Sequence, residues 1–280
     1  MRRVLIISAL LLLVLLAAAA LGAGFLFNTD PGRAFIRDKA EPYIGAALGG
    51  EAKIGALEGA LPGRIALSDV VLSGEDGPWL IIDRLELDWR AFAAVGGEID
   101  IDRLAIIGAN LIALPPEKDK PDDEAPSGFT FPESLPKVSV RDFALTDAVV
   151  GEKVAGRAIA LDAAGKLAMG GGAFDIVLAG ASEDQRDQFN LAIQKLASPN
   201  RLHVDVLVSS EADGAIASIA KLDGPLRLES KGDAPLDNFA ATLKSELGAF
   251  GAVDGRVSGN LDNARAVRLE ADAVLGEKLS

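Results

Sequence analysis

Few side chains in this sequence have the types and spacing that acid–base or metal chemistry requires. Asp100 and Asp102 stand two residues apart, so in an extended strand both point to one side, as the paired carboxylates of a hydrolase would. His203, the only histidine, alternates with apolar neighbours and is typical of a strand position. No metal-ligand spacing accompanies these residues, and there is no cysteine. We therefore predict no enzyme, no metal site and no cofactor.

Aspartates recur where apolar runs begin. Asp69-Val-Val-Leu72 resembles Asp142-Phe-Ala-Leu145, and Asp83-Arg-Leu-Glu-Leu87 resembles Asp102-Arg-Leu-Ala-Ile106. A row of calcium ligands would need a second acidic position at a fixed offset, and none recurs. Aspartate bonds to nearby backbone groups in turns, so we interpret the repeat as a feature of strand entry. Gly170-Gly-Gly172 is likewise a turn, because it lacks the lysine and the following helix of a phosphate-binding loop.

A long apolar segment opens the sequence. Val4 to Phe27 is a run of 24 residues without charge, and Arg2 and Arg3 precede it. A helix of this length spans about 36 Å, more than the roughly 30 Å of bilayer hydrocarbon. A cleaved signal peptide is the alternative, but its apolar core would be shorter. We predict an uncleaved anchor over residues 1–28, with the N-terminus in the cytoplasm and the remaining chain outside it.

The charge balance excludes one class of partner. The chain has 41 acidic and 28 basic residues, a net charge of −13, and no dense cluster of lysine and arginine. A nucleic-acid-binding protein needs such a cluster to neutralise phosphates. The acidic surplus instead favours a soluble domain that is repelled by anionic lipid surfaces.

From Glu51 onward the hydrophobic pattern has a period of two, which is typical of β-strands. In Ile81 to Trp89 the odd positions are mostly apolar and the even positions mostly charged, so one face can be dry. Glu98 to Asp102 alternates strictly before the phase shifts, which predicts a β-bulge near Arg103. Turn residues separate the strands as in an antiparallel meander.

The chain is predicted to be mainly β and to have five segments. The segments are the anchor (1–28), a short helix capped by Thr29 or Asp30 and bent or ended by Pro42 (29–50), a first β block (51–114), an exposed proline-rich loop with mixed charges (115–137), and a continuing β block with a helical turn near 214–221 (138–280). The apolar strand faces must leave water, either by packing as a β-sandwich or by curling into a gutter lined with acyl chains. The pattern leaves both open.

Several segments resemble the family of the translocation and assembly module inner-membrane subunit (TamB), within the AsmA-like superfamily. They are Thr29 to Gly32, Gly77 to Arg90, Gly97 to Leu104, Gly108 to Leu111, Glu211 to Ala217, Leu222 to Leu226 and Gly232 to Asp237. The resemblance implies a curved, elongated antiparallel β-sheet that forms an open apolar groove across the periplasm. It also implies an anchor in the inner membrane, an outer-membrane barrel of the Omp85 type as partner, and roles in lipid delivery and outer-membrane protein assembly. Family members are longer, so we expect a fragment with the anchor and the first part of the groove.

The resemblance gives a hypothesis for the site and leaves rivals. We expect phospholipid acyl chains to contact a lining made of Ile65, Leu67, Val71, Ile81, Leu85, Leu87 and Trp89. The alternatives are another AsmA-like envelope protein, a structural or adhesive β-sandwich on a membrane tether, and, least favoured, a hydrolase that uses Asp100 and Asp102.

Overall fold

A single open β-sheet dominates the protein. The computed structural model describes residue 27 and residues 29–116, 136–262 and 266–276. Thirteen strands lie in chain order from β1 to β13, and 62% of the residues are in strands, which confirms the mainly β prediction. The predicted anchor lies outside the described residues except for Phe27, as does most of the proline-rich loop. None of the described helices is both long and apolar enough to cross a bilayer.

The helices are short and the strands are long. The helices are α1 (Asp30–Leu48), α2 (Glu152–Ala155) and α3 (Ala215–Ile219), with 3₁₀ turns at Ala91–Gly96, Leu236–Asn238 and Gly248–Phe250. The strands are β1 (Glu51–Glu58), β2 (Arg64–Gly74), β3 (Gly77–Trp89), β4 (Glu98–Leu111), β5 (Lys137–Val150), β6 (Ile159–Gly170), β7 (Ala173–Ser182), β8 (Asp187–Leu196), β9 (Arg201–Ser210), β10 (Leu226–Pro235), β11 (Phe239–Leu247), β12 (Gly251–Asn260) and β13 (Ala266–Leu275).

Helix α1 begins as predicted and continues past Pro42 within the predicted segment 29–50. The Thr29 hydroxyl accepts a hydrogen bond from the Gly32 amide (3.2 Å), so Thr29 is the N-cap. The helix continues through Pro42 to Leu48 and is capped by Gly49, whose φ of 80° is in the left-handed region. Proline removes one amide donor from the helix without ending it, and side chains of α1 also form bonds to the sheet.

Those bonds tie α1 to the edge strand β1. The Ile54 amide donates to the Glu41 carboxylate (2.8 Å), and the Arg37 guanidinium donates to the Gly55 carbonyl (2.9 Å). An edge strand leaves backbone groups without a ladder partner, and α1 satisfies some of them with side chains. The helix therefore covers the β1 edge of the sheet.

Neighbouring strands are antiparallel except for β4 and β5, which are parallel. Their register runs from Glu98 beside Lys137 to Leu111 beside Val150. The prediction of antiparallel strands throughout is wrong at this pair. The predicted loop over residues 115–137 is long enough to return the chain to the start of the sheet, as parallel neighbours require, but the alternation within each strand does not show its direction.

Candidate functional site: an apolar sheet face

One face of the sheet can be followed from strand to strand, because paired residues lie on the same face. Side chains alternate regularly from β6 to β12. We call the face that carries Leu167, Ile176 and Leu191 the apolar face, and the other face the polar face. On β6 to β11 its larger residues also include Ile159, Leu161, Met169, Phe174, Leu178, Phe189, Ile193, Leu202, Val204, Val206, Val208, Leu226, Leu228, Phe239, Leu243 and Leu247.

From β1 to β5 the alternation reverses along a line that crosses all five strands. In β5, Leu145 and Ala148 pair with Ala163 and Leu161, which are two residues apart on the regular strand β6. A step of three residues in β5 therefore stays on one face. The residues paired with these on the preceding strands are also three positions apart and lie on the same face. They are Ile106 and Ala109 in β4, Leu85 and Ile82 in β3, Leu67 and Val70 in β2, and Leu57 and Ile54 in β1.

Aspartates and glycines occupy this reversal line, which we define as Gly55, Asp69, Asp83, Gly108 and Asp147. Asp69, Gly108 and Asp147 have φ angles of 52°, 64° and 54°, in the left-handed region that aspartate and glycine tolerate better than branched residues. The interpretation of the repeated aspartates as strand-entry residues is wrong, because Asp69 and Asp83 lie in the middle of β2 and β3. Their role is local backbone geometry, as expected, but at a reversal within the strand.

Carboxylates support the backbone along this line. The Asp162 carboxylate of β6 accepts a hydrogen bond from the Asp147 amide (2.9 Å). On Gly108, a Cβ atom would lie 2.2 Å from the Asp83 Oδ2 atom, so the Asp83 side chain fills the space that the glycine leaves. The neighbouring strands are therefore held together where the regular ladder is interrupted.

The predicted bulge near Arg103 is confirmed. Asp88 pairs with Arg103 and Trp89 pairs with Ile101, so Asp102 has no opposite residue. The same irregularity recurs in β5, where Val140 and Phe143 pair with residues two apart on β6.

The reversal separates the seven predicted lining residues. Ile65, Leu67, Leu85, Leu87 and Trp89 lie on the apolar face. Val71 and Ile81 pair with each other on the polar face, between Lys53 and Asn110, so their assignment to the lining is wrong. The prediction extended one alternation from Ile81 to Trp89, and the reversal at Asp83 interrupts it.

Sequence reasoning missed the buried part of this face. A cluster of Ala52, Ile54, Val70, Leu72 and Ile82 packs with half-buried Leu67, Leu85 and Ile106. Ile44 of α1 also packs against the cluster, so the helix covers the first strands. The available signal was that apolar residues occupy both parities of β2 and β3, with an aspartate between the two sets.

Away from the reversal line and the bulge, the apolar face of the described strands carries only two charged side chains, Asp187 and Lys195. Asp187 is buried and accepts hydrogen bonds from the Ser210 hydroxyl (2.6 Å) and from the Ala215 (2.7 Å) and Ile216 (3.0 Å) amides. It therefore fixes α3 to the sheet as a structural cap. Lys195 lies near the opposite end of β8, where its ammonium group donates to the Gly172 carbonyl.

The paired carboxylates of the hydrolase alternative lie in an ion-pair network between β4 and β5. Asp100 accepts hydrogen bonds from the Ser139 hydroxyl (2.7 Å) and contacts the guanidinium groups of Arg141 (2.7 Å) and Arg90 (3.2 Å). Asp102 pairs with the same two arginines. The Ser139 hydroxyl and Arg141 lower the pKa of Asp100 below its usual value, so at neutral pH this carboxylate is ionised and cannot donate a proton. The network connects the parallel strands through side chains, most of which are about half exposed.

The other candidate residues are dispersed. His203 lies on the polar face of β9, beside Gln194 and Asp233. Throughout the part of the chain that the structure describes, no three histidine or acidic side chains are grouped as a metal ion requires.

The covering of the apolar face is incomplete among the described residues. Thirteen strands at about 4.8 Å spacing make a sheet roughly 58 Å wide, whereas a single helix covers about 10 Å. Most apolar-face side chains from β6 to β12 are half-buried, and only a few, such as Leu202 and Phe239, are buried. Comparison of the chain with protein families, curated proteins and solved structures found no match. The apolar face is therefore the candidate site on structural grounds alone.

Proposed function

We propose that this chain is a membrane-anchored periplasmic scaffold that binds phospholipid acyl chains along its apolar face and performs no catalysis. The observation that carries the proposal is an apolar face that continues across the whole sheet, with no second sheet opposite it among the described residues. Exposed apolar area of this extent is unfavourable in water and commonly marks a binding surface. Acyl chains would cover it at a gain of about 0.8 kcal/mol for each buried methylene.

The width and polarity of the sheet support an extended path rather than a single pocket. The sheet would curl into an elongated groove, with the ion-paired polar face in water and the acyl chains inside. The lining would include Ile65, Leu67, Leu85, Leu87 and Trp89, and it would continue through Leu191 and Val206. A β-sandwich of structural or adhesive function would instead need a facing layer, and the described helices are too short to supply one.

The resemblance to the translocation and assembly module family supports the cellular setting of this proposal. In that setting the chain is anchored in the inner membrane, meets an outer-membrane barrel of the Omp85 type, and contributes to lipid transfer and outer-membrane protein assembly. Another AsmA-like envelope protein would use the same face in the same way.

Photo-crosslinking of the full chain tests the proposal. A benzophenone amino acid would replace Leu191 on the apolar face or its neighbour Ala192 on the polar face of β8. After irradiation in cells and purification in mild detergent, mass spectrometry would detect phospholipid adducts. We expect adducts at position 191 and few at position 192. Equal adduct yields, or none at either position, would contradict lipid binding along the apolar face.

A further inference from the structure

An apolar 3₁₀ turn protrudes from one end of the sheet. It spans Ala91–Gly96 between β3 and β4 and has the sequence Ala-Phe-Ala-Ala-Val-Gly. Phe92 is 85% exposed and Val95 is 88% exposed, more than any other large hydrophobic side chain of the described residues. Two such side chains side by side, without a charged residue in the turn, are costly in water.

This turn lies at the end of the sheet where α1 begins. The Arg33 guanidinium donates to the carbonyls of Phe27 (3.2 Å) and Gly59 (3.1 Å), which ties the start of α1 to the turn after β1. The connection between β1 and β2 is also bonded to β3, because the Trp89 indole donates to the Pro62 carbonyl (2.7 Å). Trp89 ends β3 just before the 3₁₀ turn, and two strand spacings separate β1 from β3 by about 10 Å.

The last residue of the long apolar segment lies at the same end of the sheet. Phe27 ends the uncharged run that begins at Val4, and its carbonyl accepts the bond from Arg33 described above. One end of the apolar face, which we call its mouth, also lies here, since Trp89 and Ile99 belong to that face and Ile99 is 46% exposed. Tryptophan is enriched where proteins meet the bilayer surface.

We propose that Phe92 and Val95 insert into the phospholipid bilayer beside the anchor and hold the mouth of the apolar face against the lipid. The inference rests on the proposed function, because it gives the groove its point of lipid entry or exit. Two apolar side chains on a short turn suit insertion to the level of the headgroups and upper acyl chains. Since the turn itself carries no charge, we expect insertion to depend little on anionic lipid or on salt.

The absence of cysteine from the sequence allows a direct test with single cysteines. Phe92→Cys would be compared with Leu114→Cys, whose side chain is 68% exposed beyond the other end of β4. The fourteen residues of β4 separate the two ends by about 45 Å. Each full-length variant would be labelled with an environment-sensitive fluorophore and reconstituted into vesicles of phosphatidylcholine and phosphatidylglycerol. Quenching by nitroxide lipids and by aqueous iodide would then be measured.

We expect nitroxide lipids to quench the label at position 92 several-fold more than the label at position 114, and iodide to quench it less. Equal iodide quenching at the two positions would overturn the inference. Crosslinking at Leu191 in the same vesicles separates the two proposals: lipid adducts there together with an aqueous position 92 would refute only the insertion. Retention of the protein in vesicles after an alkaline wash reports independently on the anchor.

Discussion

Two substitutions on β3, Leu85→Asp and Ile81→Asp, distinguish the two faces of the sheet. Strict alternation places both residues on one face and predicts the same result for both. In the structure Leu85 packs against the apolar cluster, whereas Ile81 pairs with Val71 on the polar face. Both side chains are half-buried, so the packing lost in each variant is similar, at about 1 kcal/mol. The difference between the variants therefore comes from what surrounds the new carboxylate.

An aspartate at position 85 would face acyl chains, and one at position 81 would face water. Placing an aspartate in hydrocarbon costs about 3 kcal/mol, and every 1.4 kcal/mol is a factor of ten in affinity. We expect lipid affinity near position 85 to fall by about two orders of magnitude in Leu85→Asp. Ile81→Asp should change it by less than about threefold, because its carboxylate stays hydrated.

The assay is local, because a long groove holds more than one lipid. A benzophenone amino acid at Leu104 lies on the apolar face and pairs with Leu87, within reach of position 85. The yield of lipid adduct at position 104 would be measured at sub-saturating lipid in both backgrounds. Thermal melting of both variants controls for folding, because the carboxylate at position 85 also contacts the apolar cluster, and the yields are compared below both midpoints. Equally reduced adduct yields in the two variants would refute the reversal at Asp83, and undiminished yields in both would refute the placement of position 85 against acyl chains.

Three further predictions concern stability and use melting of the full chain in detergent. Asp187→Ala removes a buried acceptor of three hydrogen bonds, so the free energy of unfolding should fall by about 3–5 kcal/mol and the melting midpoint by roughly 10 °C. The control Asp205→Ala, on the polar face, should change the midpoint little. Gly108→Ala should lower the free energy of unfolding by about 1–3 kcal/mol, since φ is 64° and the new Cβ would overlap the Asp83 carboxylate. Gly96→Ala should be nearly neutral, because a Cβ there meets open space. The Ser182 hydroxyl, followed by the Arg157 guanidinium, lowers the pKa of Asp184 to about 2. Because this pKa lies below the unfolded value near 3.9, the stabilisation is present at neutral pH and lost between about pH 4 and 2. The midpoint difference between the wild type and Asp184→Asn should therefore shrink over that range, and a constant difference would contradict the ionised contact.

Sequence reasoning identified the elements whose signals are local. The period of two gave the mainly β class, and the Thr29 cap and the helical turn near α3 follow from capping residues and apolar spacing. The bulge near Arg103 was visible because two alternating runs in opposite phase meet there. Each of these features depends on residues within a few positions of one another.

Features that depend on neighbouring strands were not predictable in this way. The aspartate at position 69 does not by itself indicate left-handed backbone, because aspartate is also common in turns, and only the apolar residues at both parities around it point to a reversal. Val71 and Ile81 were therefore assigned to the wrong face, although both fit an alternating pattern. The parallel pairing of β4 and β5 depends on where a long connection returns the chain, which alternation within a strand does not encode.

The irregular backbone of β4 is matched by that of β5. β4 steps by three residues from Ile101 to Leu104 and from Ile106 to Ala109, and β5 steps by three at the four residues paired with these. A one-residue shift in a single strand would move the remainder of that strand to the opposite face, placing its apolar residues in water. Because the steps of β4 and β5 lie at paired positions, the two strands change phase together, as the antiparallel strands β1 to β4 also do at the reversal line. The apolar face therefore stays continuous because the irregularities are aligned across strands, and Arg141 forms ion pairs with Asp100 and Asp102 beside the first of these steps.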